Sequence, residues 1–224
     1  MQHNPLTSSY SSSSVRSGVE INKVLRNTYW LLSMTLFTSA IAAGASMAIG
    51  ISSGMALIMT LAAFGMLFVV NATADSSKGL PAIFVFTGLL GASLGPMLSA
   101  YLSLTNGPQI IMQALGGTAI IFLSLSAYVL TTRKDFSFMG GFLMTGLIVV
   151  LIASLANIFL AIPMLSLVSS AAIVLIMSGL ILFDTSRIIH GGETNYIRAT
   201  VGLYLNIYNL FVNLLALLGV MNDE

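Results

Sequence analysis

Four long stretches of this sequence contain no charged residue, and they limit its fold more than any other feature. They run from Asn27 to Ala74, from Gly79 to Thr132, from Phe136 to Phe183 and from Ala199 to Asn222. Only 7% of the 224 residues are charged, whereas a soluble domain has about 25%. A membrane-spanning helix needs roughly 20 apolar residues. The first three stretches can therefore hold two spanning helices each, and the fourth can hold one.

Each of the three longest stretches has a suitable turn near its middle. These turns are ISSG at residues 51–54, SLTNGP at residues 103–108 and AIPM at residues 161–164, and each contains Gly or Pro and no charge. Strands of a membrane barrel alternate apolar and polar residues, whereas these stretches are apolar on every face. The sequence predicts an all-α integral membrane protein whose residues 27–224 form one domain of seven transmembrane helices.

The first 26 residues are polar and rich in serine. The apolar run behind them is too long for a signal-peptide core and ends without an evident cleavage site. We therefore expect residues 1–26 to be retained as a flexible tail. The chain has no cysteine, which excludes disulfides but does not indicate a compartment.

Basic residues fall on one side of the membrane if the seven helices simply alternate in direction. The loops on the opposite side contain no Lys or Arg, and by the positive-inside rule the basic side is cytoplasmic. The tail is then cytoplasmic, and the acidic carboxyl terminus lies on the other side. The residues on the basic side are Arg16, Lys23, Arg26, Lys78, Arg133, Lys134, Arg187 and Arg198.

Small residues four apart, such as Gly91 and Gly95, let helix backbones approach closely in lipid. Gly140, Gly141 and Gly146 suit the same role. A ligand-cradling role is the alternative, but no phosphate-binding lysine or strand-to-helix turn accompanies these glycines.

The segment FDTSRIIHGGETNYIR, residues 183–198, concentrates charge in a chain that otherwise avoids it. A sixth helix from Pro163 to His190 would be roughly 40 Å long and would reach the headgroups. Gly191 and Gly192 suit the end of that helix, where a left-handed residue is needed. Thr194 or Asn195 can cap the seventh helix, with Glu193 near its positive end.

Asp184 does not fit that explanation, because an anion near the carboxyl end of a helix is disfavoured by the dipole and by burial. One interpretation is a local ion pair with Arg187, three residues later. The other is a buried carboxylate whose proton occupancy biases helix packing, since acids within spans are commonly functional.

The last charge-free stretch, ATVGLYLNIYNLFVNLLALLGV, is the span that carries a stripe of polar side chains. Asn206, Asn209 and Asn213 form one helical stripe, and two tyrosines lie on a neighbouring face. Interhelical hydrogen bonding or a polar pathway would each account for the stripe. Asn71 and Asn157 are candidate partners from other helices.

An enzyme is the least favoured class of protein. The histidines are His3 in the tail and His190 in a loop, so none lies within a span to activate a nucleophile. Asp184, His190 and Glu193 lack a recognised metal-ligand spacing. We expect no cofactor and no nucleic-acid partner.

Several motifs resemble those of the Bax inhibitor family, also called the transmembrane Bax inhibitor motif family. FDTSRII followed by LYLNIYNLF is similar to the end of that family, and FTGLLGASLGPMLSAYL resembles its third-helix signature. NKVLRNTYWLLS, ALGGTAIIFLSLSAYVLTTRKDFSFMGG and IIHGGETNYIRATV are similar to the bacterial members that modulate the protease FtsH. The resemblance covers nearly the whole chain from Asn22 onward.

This resemblance implies a central last helix surrounded by the other six, residence in the bacterial inner membrane and a cytoplasmic amino terminus. It also implies FtsH as the partner, which degrades the protein slowly from its tail and is thereby restrained from attacking other clients. The tail maps to about residues 1–22, and its protease-engaging candidates are Met1, Gln2, His3, Asn4, Pro5 and Asn22.

Channel-like members of the family carry two proton-sharing aspartates that gate a calcium leak, which is the alternative function. Asp184 matches the first aspartate, but Asn206 stands at the position of the second. An amide cannot supply the second titration that a shared proton requires. The second helix also lacks the arginine counter-ion of some family channels.

Overall fold

The computed structural model describes the backbone of residues 7–222 and the side chains of residues 18–221. Within those residues the chain is helical and contains no strand. Seven helical segments are long and apolar enough to cross a membrane, because α3 and α4 together make one of them. The prediction of an all-α protein with seven spans is confirmed. The helices are α1 (Thr7–Ile49), α2 (Ser53–Thr73), α3 (Gly79–Ser93), α4 (Gly95–Leu102), α5 (Gly107–Thr132), α6 (Gly140–Leu160), α7 (Pro163–Ile189) and α8 (Tyr196–Asn222), with a 3-10 turn at Ser137–Met139.

The three turns predicted inside the long apolar stretches all coincide with breaks between helices, and the last two residues of each begin the following helix. Gly50 ends α1 with a φ of 72°, a left-handed conformation that glycine adopts without strain. Ser52 caps α2 by accepting a hydrogen bond from the backbone N–H of Met55. Asn157 exchanges two hydrogen bonds with the backbone of Ile162, at 3.0 and 3.1 Å, and so secures the turn between α6 and α7. Asn157 is therefore a turn residue rather than a partner of the last helix.

The third span is interrupted near its middle. Leu94 separates α3 from α4, and Pro96 lies in the first turn of α4. Proline has no backbone N–H and its ring collides with the carbonyl one turn earlier, which breaks a continuous helix. This explains why a single span contains two helices.

The last helix, α8, lies at the centre of the bundle. It packs against α1, α2, α3, α5 and α7. Its residues Leu203, Tyr204, Leu210 and Leu215 are almost completely buried. α6, which forms the fifth span, packs mainly on α7, and its side chain Phe159 is 90% exposed. Five neighbours therefore surround α8 directly, and α6 forms the periphery.

The charged loops lie together at one end of the bundle. The ion pair between Arg198 and Asp75 joins the start of α8 to the turn between α2 and α3. The backbone N–H of Phe136 donates to the hydroxyl of Ser186 at 2.9 Å, which joins the loop before α6 to the end of α7. The predicted separation of the basic loops from the other end is thus present in the fold.

The amino-terminal segment is helical from Thr7 onward in the backbone, and Asn22 is an exposed residue of α1. The tail candidates Met1, Gln2, His3, Asn4 and Pro5 lie outside the described residues. The boundary at residue 26 and the flexibility of residues 1–26 stay predictions.

Close backbone contact between α1 and the third span depends on two glycines. A Cβ atom at Gly91 would lie 2.2 Å from the carbonyl oxygen of Ser39, and one at Gly95 would lie 2.1 Å from the hydroxyl of Ser46. Gly140 likewise admits the ring of Phe183. The packing role is therefore confirmed for Gly91, Gly95 and Gly140. It is wrong for Gly141, where a Cβ atom would meet nothing within 4 Å, and at Gly146 a Cβ atom would make only an ordinary contact with Ile176 at 3.4 Å.

Replacing Gly91 with alanine should destabilise the bundle, because the new methyl group meets backbone that cannot move aside. We expect a loss of about 1–3 kcal/mol in the free energy of unfolding, measured by denaturant titration of the purified protein in mixed micelles. Gly88→Ala is the matched control, since a Cβ atom there meets nothing within 4 Å. Equal stability of the two variants would contradict this account of the α1 contact.

Candidate functional site

The carboxylate of Asp184 on α7 faces the central helix. Its Oδ2 atom accepts a hydrogen bond from the side-chain amide of Asn206 at 2.7 Å, and Asn206 is only 5% exposed. Gly202, one turn before Asn206, makes room for this carboxylate: a Cβ atom there would lie 3.1 Å from Oδ2. The site is therefore a carboxylate and amide pair that joins the last two helices inside the bundle.

Arg187 is engaged elsewhere rather than in an ion pair with Asp184. Its guanidinium donates to the carbonyl of Gly192 at 3.2 Å and lies 3.8 Å from the carboxylate of Glu193. It also lies over the ring of Phe183, 5.5 Å from the centroid. Arg187 thus stabilises the turn after α7, and the described side chains do not form the ion pair of the first interpretation. The carboxylate of Asp184 lies inside the bundle, and an effect of its proton occupancy on helix packing stays a prediction.

The three asparagines of α8 do not share one role. Only Asn206 donates to another helix. Asn209 and Asn213 donate to the backbone carbonyls four residues earlier in α8, at 2.9 and 2.8 Å. Asn71 does the same within α2. Of these four asparagines, Asn206 alone makes an amide contact with another helix, and the four do not form a chain of amides that links several helices.

Sequence reasoning missed a second set of polar contacts, which the tyrosines of α8 make. The hydroxyl of Tyr204 donates to the carbonyl of Thr87 at 3.2 Å and lies 2.7 Å from the hydroxyl of Ser39, which can donate to it. Tyr208 lies 3.4 Å from the hydroxyl of Ser93. These contacts link α8 to α1 and α3. The pattern indicated a tyrosine face, but it gave no signal for the partners.

A second group that the sequence did not reveal consists of three hydroxyls at the interface of α1, α5 and α7. The hydroxyl of Tyr29 is close to those of Ser126 and Thr185. None has good hydrogen-bond geometry with another described residue, although all three are buried. Thr185 directly follows Asp184, so this polar region adjoins the acid.

The charged end is held together by Asn195, which caps α8. Its side-chain oxygen accepts from the backbone N–H groups of Ile197 and Arg198, at 2.8 and 3.2 Å. Its side-chain amide donates to the carboxylate of Asp75 at 2.8 Å. This hydrogen bond and the neighbouring guanidinium of Arg198 lower the pKa of Asp75 below its ordinary value of 3.8. Of the two caps that the sequence allowed, Asn195 is the one used, and Gly191 ends α7 with a φ of 76° as predicted.

A serine, a histidine and an aspartate meet at the end of α7, but not in the order of a hydrolase triad. Nδ1 of His190 lies 3.3 Å from the hydroxyl of Ser186, and Asp135 contacts that same hydroxyl at 3.4 Å instead of the imidazole. In a triad the carboxylate orients the histidine. Ser186 is fully buried and fastens the loop before α6. The described residues also contain no group of three or more His, Cys, Asp or Glu residues that could hold a metal ion.

Comparisons with known proteins agree on one family. Residues 21–223 match the family described as "Inhibitor of apoptosis-promoting Bax1". An "Uncharacterized membrane protein" of Vibrio cholerae is 58% identical over 95% of this chain and 96% of its own length. A protein of Escherichia coli (strain K12) named "Modulator of FtsH protease YccA" is 54% identical over 91% of this chain and 92% of its own length. A protein of E. coli O6:H1 with the same values is named "Inner membrane protein YccA".

Replacing Asn206 with leucine should destabilise the protein more than the same change at Asn209. The first change leaves a partly buried carboxylate without its donor, at a cost of about 1–3 kcal/mol, whereas the second removes only a bond within α8. Denaturant titration in mixed micelles measures both. Equal losses of unfolding free energy in the two variants would show that the contact with Asp184 stabilises the protein no more than a bond within α8.

Acid should weaken the attachment of Asp75 to α8. Because its pKa is lowered in the folded protein, the stabilisation is complete above pH 3.8 and is lost as the pH falls through the lower folded value. We expect the thermal midpoint to fall more between about pH 6 and pH 3 for the natural chain than for Asp75→Asn. The same fall in both proteins would contradict the assignment.

Proposed function

The chain belongs to the Bax inhibitor family, and on that basis we propose that it modulates the ATP-dependent membrane protease FtsH as a competing, slowly degraded client. The observation that carries this proposal is its 54% identity, over 91% of the chain, to the E. coli protein named as a modulator of FtsH. The family match covers residues 21–223, which include the charged loops and nearly all of the seven spans, and so the surfaces that a membrane-embedded partner would contact.

We place the chain in the bacterial inner membrane with its charged end in the cytoplasm. Two features support this orientation. The described loops that carry Lys or Arg lie at one end of the bundle, as the contacts of Asp75 and Ser186 require. Basic loops are retained on the cytoplasmic side during insertion. The amino terminus then lies in the cytoplasm, on the side from which an ATP-dependent protease can pull.

The contrast between the two ends of α1 suggests how degradation can start and why it is slow. A processive protease needs an accessible starting segment, and residues 1–22 are polar and precede the first apolar run. From Val24 onward, α1 packs into the core of the bundle. Further along, Ser39 is bound to the central helix through Tyr204. Extraction of the first span must therefore break contacts of α8, which slows the protease and occupies it.

The alternative function, a pH-sensitive calcium leak, is less well supported by the site. Asp184 has an amide as its partner where a proton-sharing pair needs a second acid. Asn209 and Asn213 bond within their own helix and do not extend the polar contact. We therefore propose that the pair of Asp184 and Asn206 joins α7 to α8 structurally.

Removing residues 2–17 should lengthen the lifetime of the protein in cells that contain FtsH, because the protease loses its starting segment. We expect the half-life to increase several-fold in a pulse-chase measurement and other FtsH clients to be protected more strongly. The deletion spares Ile21 and Val24, which pack near the α7–α8 loop and in the core.

A flexible Gly/Ser segment of the same length is the matched control, and it should restore degradation if accessibility is what matters. Co-purification of FtsH with the intact and shortened chains separates docking of the helices from capture of the tail. Unchanged turnover of the shortened chain would overturn the proposal.

A further inference from the structure

A groove runs along the outside of the central helix between α1 and α5. Both helices pack against α8, but they have few contacts with each other. The groove has a volume of about 610 Å³ and extends along α1 from Ser33 to Met47. The rings of Tyr29 and Phe122, with centroids 6.1 Å apart, close the gap near the Ser33 end. The groove thus opens to the side of the bundle. Along the membrane normal it extends from the end of the spans near Gly50 to beyond their middle.

The wall of the groove presents almost no free polar group. Most of its side chains are aliphatic or aromatic, among them Leu36, Leu98 and Phe211. Its hydroxyls are already used: Ser33 donates to the carbonyl of Tyr29, Thr118 to that of Ala114, and Tyr204 to that of Thr87. A ligand with a charged or strongly polar group would lose its hydration here without compensation. The occupant is therefore apolar.

The opening of the groove faces the hydrocarbon of the bilayer. Leu115 and Leu123 line the groove and are nevertheless 49% and 61% exposed. Phe37 and Ile41, on the same part of α1, are also exposed. At this depth an apolar surface is in contact with lipid chains rather than with water.

The size of the groove suits a single lipid chain. From Ser33 to Met47, α1 rises about 21 Å, and the groove holds about 610 Å³ along that length. A hydrocarbon chain is thin, and one leaflet is about 15 Å deep. A single extended chain from one leaflet therefore covers most of the length of the groove.

We propose that the groove between α1 and α5 binds one acyl chain of a membrane phospholipid, from the leaflet at the α1–α2 turn. The chain lies along Ala40, Ala43 and Gly44 of α1, whose small side chains form the floor beside α8. It fills a gap that would otherwise leave Tyr208 and Phe211 of α8 without neighbours on one side. The proposal is independent of the protease that the protein engages.

Gly44 offers a direct way to fill the groove. It lines the groove, and a Cβ atom there meets nothing within 4 Å, so Gly44→Phe places a ring in the groove without displacing protein atoms near Cβ. Gly65→Phe on α2 is the matched control, because Gly65 is exposed, equally free of contacts and outside the groove. Circular dichroism and gel filtration check that both variants fold.

The probe is a phosphatidylethanolamine with a photoactivatable diazirine at the end of one acyl chain, in vesicles of phosphatidylethanolamine and phosphatidylglycerol. We expect labelling of the natural chain to concentrate on residues 33–47 and 111–123, above that of α6, although α6 is the more exposed helix. In Gly44→Phe the labelling of these segments should fall by about five-fold, since the ring takes the place of the chain. It should be unchanged in Gly65→Phe.

Two results would overturn the proposal. One is labelling of the natural chain in proportion to exposure, strongest on α6, which is the pattern of ordinary lipid solvation. The other is undiminished labelling of residues 33–47 in a folded Gly44→Phe variant. If that variant does not fold, the comparison of segments within the natural chain decides the question.

Discussion

In a bilayer the hydrophobic effect does not hold helices together, so this fold depends on the close and polar contacts made by its central helix. The hydroxyl of Tyr204 connects α8 to α1 and α3 at one level. The amide of Asn206 connects α8 to α7 at another. Glycines at 91 and 95 bring α1 against the third span, so the side chains that meet α8 are in reach. Loss of α8 would leave the remaining spans without their common partner.

The sequence predicts the spans because absence of charge and the length of a helix are local properties, and the turns because Gly, Pro and capping residues act locally. It predicts the close contact at Gly91 for the same reason. It does not predict partners. The stripe of Asn206, Asn209 and Asn213 defines a face of α8, but only the assembled bundle shows that the first alone reaches another helix. The contacts expected of Asn157 with the last helix and of Arg187 with Asp184 fail for this reason. Each side chain instead bonds the backbone of a nearby turn.

The same architecture connects structure with the proposed regulation of a protease. A polar leader precedes a bundle in which the first span is fastened to the last through Ser39 and Tyr204. A protease that starts at the amino terminus therefore meets early a span that is joined to the central helix. In the proposed function, slow extraction follows from this order of elements, and it requires neither a catalytic group nor ion conduction at Asp184.

The proposed function requires an odd number of spans with the polar amino-terminal segment in the cytoplasm, and the absence of native cysteine allows a direct measurement. Single cysteines introduced at Ser8 and at Asn222 can be labelled with a membrane-impermeant maleimide in intact cells and in inverted membrane vesicles. We predict labelling at Asn222→Cys only in cells with a permeable outer membrane, and at Ser8→Cys only in inverted vesicles. Labelling of Ser8→Cys from outside the inner membrane would contradict the account, because a cytoplasmic protease could not reach the leader.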